Sequence, residues 1–575
     1  LGIAQSALLG LDILARQFSS VKEWASPMTA ALGELTTMAQ AVTDTIQEFP
    51  IHSPVTQEVF KLLGSFYLCC GTLCSAAKIR SLPFLESLLG RMLGLLETQG
   101  AILLQYETSV EAEETTSASS RGQCRTLTLL IRSCVSAVAC IVTDLSSFFH
   151  PYLPRFLEAV TPLQSLRHTP DASLLSRDIE QCLFVITTKV PCRLSIPAIL
   201  QASLSIFTNK KEVAPGLLHA TAGKLASFQV SNWEALDRGS VTSHLDALQS
   251  ISLVGLNYRY TSGDQSLAAN TVDTEVCKAC IEFCLKLTET ELRGFLIQLM
   301  EMRDNLLVDP EATPEDKYAD WRIYSRSVVF FQLLSGLNSK LKHIFVPLMA
   351  LVWQGAADHL ATLIDFVTVM KPNQQRDQTS SKKGKKRKLL EVSKATQGAV
   401  GADPSDDMQQ RVLRELVTGC GWVLKSVRKC CMHDNVNFID QFQYETIISQ
   451  LSALYAMREA FSSDGEYLAF AGDMVLPCIV QLVIAVGKDL LWKSLNHEIL
   501  VMMRSRQKSV KMAGLRGLQK LFTDVGEEYL ILLPECLPFL SEILEDSDSG
   551  TVALASEVIQ SIEELSGESL DSYLR

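Results

Sequence analysis

The chain has 575 residues, of which 47% are hydrophobic, and its formal net charge is −12 at pH 7. A chain of this length and apolar content can bury several cores, or one elongated core, without metals or disulfides. The negative charge argues against a surface that binds nucleic acid throughout, because phosphate binding needs Lys and Arg concentrated on one face. Any contact with nucleic acid must therefore be local.

Other features of the composition concern the compartment. The 16 cysteines are scattered, often within apolar helical patterns, which is typical of reduced intracellular thiols and not of a secreted disulfide framework. The longest nearly apolar run, Met474 to Gly487, contains Pro477 and Gln481 and is too short to cross a bilayer, so we predict no membrane span. The chain starts at Leu1 without a basic segment before an apolar one, so we expect a C-terminal fragment or processed chain without a signal peptide.

In chain order, the pattern predicts helices separated by turns, with no convincing series of strands. Apolar residues recur at helical spacing over residues 1–48, and then in segments such as Leu62 to Leu73 and Leu82 to Leu96. Residues 107–122 hold four glutamates among Ser and Thr, and this composition predicts a solvated acidic loop. Helical patterns resume at Leu127.

A proline-containing helix start recurs along the chain and indicates an internal repeat. Proline fits the first turn of a helix because the amide that it lacks would have no helical partner there. The similar starts are Leu82-Pro83-Phe84, Pro151-Tyr152-Leu153-Pro154, Val346-Pro347-Leu348, Leu476-Pro477-Cys478 and Leu533-Pro534-Glu535. With about 40 to 47 residues per unit, the chain would hold roughly ten to thirteen helical pairs.

The clearest copy of the repeat runs from Lys508 to Leu570. One amphipathic helix ends at Gly526, a second begins at Pro534, and a third follows the acidic turn 545–550 and ends before Gly567. No short helix of this kind can bury its apolar face alone, so pairs must stack on neighbouring pairs. The sequence therefore predicts an all-α fold, a HEAT-like α-solenoid of stacked antiparallel helix pairs.

The composition changes between residues 371 and 410. This segment is rich in Gln, Ser, Lys and Asp and contains almost no aromatic residue, so we expect a disordered linker. Residues 1–370 and 411–575 would then be two regions of HEAT-like helical repeats, the first of which includes the acidic loop.

The linker contains the sharpest candidate site, a run of six cations within seven residues. These are Lys382, Lys383, Lys385, Lys386, Arg387 and Lys388. A flexible basic run fits the acidic groove of an import receptor, and it can also contact phosphates. We favour a nuclear-localisation role over RNA contact, and a solvated linker without either role is the third interpretation.

Other groups of polar residues are better explained by helical structure. Two groups have part of a metal-site spacing: Cys277, Cys280 and Cys284, and Cys430, Cys431 and His433. Neither group has the further ligands that zinc requires, and the first also marks one face of a helix, so we predict no metal and no cofactor. Asp546, Asp548 and Glu557 have calcium-loop spacing, but Gly550 occupies a ligand position, which favours a helix N-cap from Asp548 or Ser549.

No sequence motif indicates catalysis. We find no nucleotide-binding loop, zinc-protease motif or nucleophile elbow, and we predict no catalytic residue. Gly514 and Gly517 are not a phosphate loop, because they lie within the first helix of the Lys508–Leu570 repeat. We expect them to admit a closely packed neighbouring helix. A binding scaffold is the default interpretation, since helical solenoids expose long surfaces to partners.

Several C-terminal segments resemble a known family. They are Asp489-Leu490-Leu491-Trp492-Lys493-Ser494-Leu495-Asn496, Glu528-Tyr529-Leu530-Ile531-Leu532-Leu533-Pro534-Glu535, Pro538-Phe539-Leu540, Leu544-Glu545-Asp546 and Gly567-Glu568-Ser569-Leu570-Asp571-Ser572-Tyr573-Leu574. Together they are similar to the C-terminus of the BAP28-type family, HEAT-repeat proteins that associate with U3 small nucleolar RNA in the small-subunit processome. A departure is Lys508-Ser509-Val510-Lys511-Met512, which lacks the proline and arginine often found at this helix entry.

The resemblance implies a non-enzymatic scaffold for ribosome biogenesis in the nucleus and nucleolus. It would assemble the small-subunit processome for pre-18S rRNA processing and, in some members, support rDNA transcription. The implied partners are other processome proteins and the U3 snoRNA/pre-rRNA particle, with direct RNA contact secondary, and no membrane.

The alternative function is a HEAT-repeat adaptor of the nuclear-transport or phosphatase-scaffold type. Such receptors are expected to carry rows of acidic, Trp and Asn residues along successive inner helices. The six tryptophans of this chain have no regular spacing, which favours the processome scaffold.

Overall fold

The fold was examined in a computed structural model, which describes residues 2–18, 21–46, 54–111, 118–208, 215–304, 318, 320–380, 404–570 and 573. Within these residues the regular elements are α-helices joined by short 3-10 turns and one π turn, and no strand occurs. The chain divides into two compact units, residues 1–292 and 293–575, with the boundary inside one helix. The predicted all-α solenoid of HEAT-like helix pairs is confirmed.

The first unit stacks its helices in two layers. One layer consists of α3, α5, α7, α9 and α13, and the other of α2, α4, α6, α8 and α11, with each helix packed on the next of its own layer. The helices are α1 (Gly2–Phe18), α2 (Ala25–Ile46), α3 (Pro54–Ala77), α4 (Leu82–Glu111), α5 (Ala118–Phe149), α6 (Leu153–Leu163), α7 (Ala172–Lys189), α8 (Cys192–Thr208), α9 (Pro215–Ala235), α10 (Arg238–Ser243), α11 (Leu245–Leu256), α12 (Tyr258–Ser262) and α13 (Leu267–Cys284); α14 (Glu289–Asp304) contains the boundary.

The second unit repeats this arrangement. One layer consists of α15, α17, α20, α22 and α24, and the other of α16, α18, α21 and α23. The helices are α15 (Arg322–Leu341), α16 (Met349–Ser380), α17 (Pro404–His433), α18 (Gln441–Ala456), α19 (Asp464–Phe470), α20 (Leu476–Val486), α21 (Asp489–Met503), α22 (Lys508–Val525), α23 (Leu533–Leu544) and α24 (Ser549–Ser566). Within each unit the apolar core lies between the two layers, because each helix turns its apolar face toward the other layer.

The helix boundaries of the Lys508–Leu570 repeat follow local signals. Pro534 lies in the first turn of α23, and Gly567 ends α24 in a left-handed conformation with φ of +72°. The first helix ends at Gly526, where φ is +81°. Glycine is favoured at such positions because it has no Cβ to collide with the backbone. These boundaries were predicted correctly.

The acidic loop predicted at 107–122 is wrong at both of its ends. Helices α4 and α5 extend into it, and only residues 112–117 lie outside the described part. Glu107 is buried at 2% exposure, and its carboxylate accepts hydrogen bonds of 2.5–3.0 Å from the backbone amides of residues 167–169 and the Thr169 hydroxyl. Composition could not predict this, because a glutamate is tolerated inside a protein when distant donors satisfy it.

Helices also occupy both ends of the predicted linker at 371–410. Helix α16 continues to Ser380 and α17 begins at Pro404, so 381–403 is the part that lies outside the description. Lys, Gln and Arg have good helix propensity, which allows the helix to continue beyond its apolar part. Since α15 and α17 pack side by side, the linker is an insertion within the second unit. The division into regions 1–370 and 411–575 stays a prediction.

Three helical stretches are long and apolar enough, by length and composition, to cross a membrane. They are Thr56–Val110, Ser120–Leu163 and Asp464–Val486, of which the sequence interpretation noted only part of the last. The buried shares of their most apolar windows inside the fold are 72%, 61% and 50%. Much of this apolar surface therefore contacts other helices. The absence of a membrane span stays a prediction.

Candidate functional site

The basic run Lys382–Lys388 lies outside the described residues, which resume at Pro404. Its proposed roles therefore stay predictions. The residues from 293 to 439 around this insertion bury an arginine and a histidine, Arg303 and His359.

The cysteines on α13 form part of the protein core. Cys277, Cys280 and Cys284 are at most 3% exposed, as their spacing on one helical face predicted. Burial raises the pKa of the Cys277 thiol well above its usual value, and a hydrogen bond with Cys280 together with burial does the same for Cys284. The Cys277 and Cys284 thiols are therefore protonated at neutral pH. In the described ranges no group of three or more His, Cys, Asp and Glu side chains could hold a metal ion.

The predicted N-cap at Asp548 is confirmed. Its carboxylate accepts hydrogen bonds from the amide and hydroxyl of Thr551 at 2.8 and 2.7 Å, in the first turn of α24. Lys508 donates to the other carboxylate oxygen at 2.7 Å, and Lys511 pairs with Asp546. Hydrogen bonds from Lys508 and Thr551 lower the pKa of Asp548 to about 2. The two carboxylates thus link α22 to the start of α24.

An acid, an imidazole and a hydroxyl meet in the first unit. His219 Nδ1 lies 2.9 Å from the Tyr258 hydroxyl, and its Nε2 lies 2.6 Å from Asp264 Oδ2. This order resembles a proton relay, but Tyr258 is 2% exposed and burial raises the pKa of its hydroxyl. Because no reactant can reach that hydroxyl, the group connects α9 to α12 and the following turn and has a structural role.

The second unit buries a guanidinium and an imidazole against the same aromatic ring. Arg303, in the last turn of α14, is 8% exposed, and its Cζ lies 5.2 Å and 5.8 Å from the ring centroids of Phe330 and Phe331. His359 on α16 is 7% exposed, with its ring centroid 5.5 Å from that of Phe331. We call Arg303, His359, Phe330 and Phe331 the polar centre. Cation–π attraction partly replaces the hydration that Arg303 loses.

Two helical glycines make room for the polar centre. A Cβ atom on Gly355 would lie 2.7 Å from both terminal nitrogens of Arg303, and one on Gly419 would overlap Nε2 of His359. Glycine in a helix interior is less stable than alanine. It fits these two positions because any larger residue would collide with Arg303 or His359. Helices α16 and α17 thus each provide the space that a buried polar side chain occupies.

The polar centre is incompletely hydrogen-bonded. Arg303 Nε pairs with Asp304 at 2.6 Å, while Arg303 Nη1 and His359 Nε2 have no hydrogen-bond partner among the described residues. Burial and the nearby Arg303 cation lower the pKa of His359 to about 3, so its ring is neutral at physiological pH. A neutral imidazole next to a fixed cation can position α14 to α17, and since the centre is closed to solvent we assign it no catalytic chemistry.

The sequence interpretation missed the polar centre. An isolated Arg or His within a helical pattern gives no sign of burial. The available signal was weak: small residues cluster around both contact points, in Gly355-Ala356-Ala357 and in Gly419-Cys420-Gly421. Paired clusters of this kind indicate close helix packing, but they do not reveal which side chain fills the space.

This region is also the part of the chain that matches a family model, the BP28CT (NUC211) domain, over residues 240–439. The match includes Arg303, His359, Gly355 and Gly419. Proteins to which the chain is similar are named for HEAT repeats and for U3 small nucleolar RNA. These similarities match the BAP28-type family that the C-terminal segments resemble.

Individual BAP28-type relatives are distant in sequence and much longer. An uncharacterized protein of Arabidopsis thaliana is 28% identical over 78% of this chain and 19% of its own length. HEAT repeat-containing protein 1 homolog of Dictyostelium discoideum is 22% identical over 99% of this chain and 26% of its own. U3 small nucleolar RNA-associated protein 10 of Chaetomium globosum is 33% identical over 27% of this chain and 8% of its own. The chain therefore spans about a quarter, or less, of these relatives.

Proposed function

We propose that this chain is a non-enzymatic scaffold segment of the small-subunit processome, acting in the nucleolus in pre-18S rRNA processing. The observation that carries this proposal is the relationship to proteins named for association with U3 small nucleolar RNA. The two-layered helical stack supports it, because such stacks offer long surfaces for partners and need no catalytic site. Support of rDNA transcription is a further part of the proposal.

The proposed partners are other processome proteins and the particle formed by U3 snoRNA and pre-rRNA. The test is affinity purification of the tagged full-length protein from cells, with sequencing of crosslinked RNA and mass spectrometry of bound proteins. We expect U3 RNA, the 5′ part of the ribosomal precursor and early processome proteins. Recovery of import cargoes or phosphatase subunits without ribosomal precursor would instead establish the adaptor function.

We further propose that the Lys382–Lys388 run engages an import receptor. Replacing its six cations by glutamine should move the full-length protein toward the cytoplasm, because the acidic receptor groove loses its ligand. The matched control replaces the exposed cations Arg177, Lys189, Lys278, Lys488, Lys493 and Arg506 by glutamine, which removes the same charge elsewhere. Equal nuclear fractions for both variants, measured by imaging, would contradict the localisation role.

A further inference from the structure

One exposed face of α17 concentrates positive charge on this acidic protein. Arg414, Lys425 and Arg428 are exposed, and Trp422 and Lys429 are half-buried. At about 100° per residue these five side chains fall within an arc of roughly 120°, and they extend about 22 Å along the helix. We call them the cationic face. Arg411 follows the same direction but pairs with Asp407 at 3.0 Å, so it is not counted.

Acidic residues are scarce beside the cationic face. Neither α15 nor α17 after Glu415 contains an Asp or Glu. The turn Lys342–Ile344, which packs against α17, adds the exposed Lys342 and His343. The carboxylates on adjoining segments include the exposed Asp358 and Asp365 on α16, which packs on α17, and Asp473 in the π turn that also packs on α17. Asp434, just after α17, accepts the amides of Val436, Phe438 and Ile439.

Among the described residues, Lys429 is held by neutral acceptors and not by a carboxylate. Its Nζ donates to the carbonyl oxygen and hydroxyl of Ser335 at 3.0 Å each, and to the Ser339 hydroxyl at 2.5 Å. These neutral acceptors hold the ammonium between α15 and α17. Burial and the cations of Lys425 and Arg428 lower the pKa of Lys429 below its usual value, as expected where like charges lie close together.

Trp422 gives the face a second kind of contact. The Lys425 ammonium lies 4.2 Å from the centroid of the Trp422 ring, and the ring is partly accessible. An aromatic ring bordered by cations is the arrangement on which unpaired bases stack while their phosphates contact Lys and Arg. An acidic peptide would use the cations but would have no planar group for the ring.

We propose that the cationic face binds single-stranded RNA, with phosphates on Arg414, Lys425 and Arg428 and a base stacked on Trp422. The proposal deepens the proposed function and rests on it, since it assigns a direct RNA contact to a scaffold of an RNA-containing particle. An unpaired strand is favoured over a duplex because stacking on a side chain requires a free base.

The test is binding of the purified 575-residue chain to a fluorescein-labelled single-stranded RNA of mixed sequence, measured by anisotropy over a range of salt concentrations. The six cations from Lys382 to Lys388 are replaced by glutamine in every protein, so that they do not contribute. We expect Lys425→Glu/Arg428→Glu to weaken binding at least tenfold and to reduce the slope of log affinity against log salt by about 1.4, or about 0.7 for each phosphate contact.

Trp422→Leu should weaken binding about tenfold with an unchanged salt slope, because it removes stacking and no charge. The control Lys488→Glu/Lys493→Glu makes the same charge change at two exposed positions, the residue before α21 and its second turn, and should leave most of the affinity. Circular dichroism verifies that all variants fold. Equal affinity for the two charge-reversal variants, or tighter binding of a polyglutamate peptide with the same dependence on Lys425 and Arg428, would overturn the proposal.

Cell experiments separate this inference from the proposed function. If full-length protein carrying Lys425→Glu/Arg428→Glu still recovers the processome and RNA binding by the purified chain is unchanged, the cationic face is wrong and the scaffold function is supported. If the unaltered protein recovers no processome while RNA binding depends on the face, the scaffold function is wrong and the RNA contact is supported.

Discussion

The interior of α22 to α24 and the interior of α14 to α17 are both filled between packed helices, but with different kinds of side chain. Leu515, Leu518 and Leu540 are fully buried in the first region, together with the aromatic rings of Phe522 and Tyr529. The second region buries Arg303 and His359. Both regions use helical glycines to bring neighbours close, which shows that one helical stack can accommodate either an apolar or a polar interior.

The glycines explain how the two interiors differ. In α22, a Cβ on Gly514 would lie 3.2 Å from the Ile499 carbonyl oxygen, and one on Gly517 would lie 2.9 Å from the Tyr455 hydroxyl. Gly514 thus admits the backbone of the neighbouring helix, as predicted, whereas Gly517 admits the end of the Tyr455 side chain. In the polar centre, both Gly355 and Gly419 admit the ends of polar side chains. The space that a glycine leaves is thus filled by whatever the facing helix carries.

The largest expected effect tests the apolar region. Leu540→Asp places an unpaired charge at a position with no exposure, and we expect a loss of stability on the order of 5 kcal/mol. Leu537 lies three residues before Leu540, but it is only half-buried because Cys536 and Leu540 point inward. Leu537→Asp should therefore lower the free energy of unfolding by clearly less than Leu540→Asp. Hydrogen exchange of peptides from 508–567, read by mass spectrometry, measures the loss of protection in both variants. Equal protection in the two variants would contradict the expected difference between Leu540 and Leu537.

The next effect tests the polar region through pH. An unfolded histidine has a pKa of 6.5, and burial with the Arg303 cation lowers that of His359 to about 3. The unfolded state therefore binds more protons below pH 6.5, so the contribution of His359 is complete above that pH and is lost as pH falls toward 3. Between pH 6.5 and 5 the loss is about 2 kcal/mol.

His359→Leu is the matched variant for the pH test. It cannot bind the proton, so the opening free energy of α16 peptides, obtained from hydrogen exchange corrected for intrinsic rates, should depend less on pH than in the unaltered chain. The same pH dependence in both proteins would show that other groups produce it.

A smaller effect tests the steric role of Gly419. Gly419→Ala forces the buried ring of His359 to move, and we expect a loss of about 1–3 kcal/mol. Gly294→Ala is the control, because its Cβ would meet no atom within 4 Å and alanine favours a helix by roughly 0.5–1 kcal/mol. Urea unfolding curves that move in opposite directions support the distinction, and a stabilising Gly419→Ala would contradict it.

The smallest effect concerns a cap in the apolar region. Asp548→Ala removes the acceptor for Thr551 and the partner of Lys508, and should increase hydrogen exchange in the first turn of α24. Asp548→Ser keeps a capping oxygen and removes only the charge, so it should preserve most of the protection. If the two variants exchange equally, the lysine pair and not the cap protects this turn.

The sequence by itself determined the features that depend on neighbouring residues. The helix period, the proline at the start of α23, the cap at Asp548 and the glycine after α24 each act within one or two turns, so their physical chemistry is complete in a short segment. The stacking of pairs followed as well, since amphipathic helices of this length need a neighbour. The C-terminal segments also allowed the family to be recognised.

Only the tertiary structure decided which polar groups lie inside. Glu107 is buried because donors up to 62 residues away satisfy its carboxylate, and Arg303 is buried because the rings of α15 and the glycine of α16 accommodate it. The cationic face likewise exists because α15 places acceptors and no acids beside α17. Burying or exposing a charge depends on the whole set of partners around it, and that set is assembled only when distant helices pack.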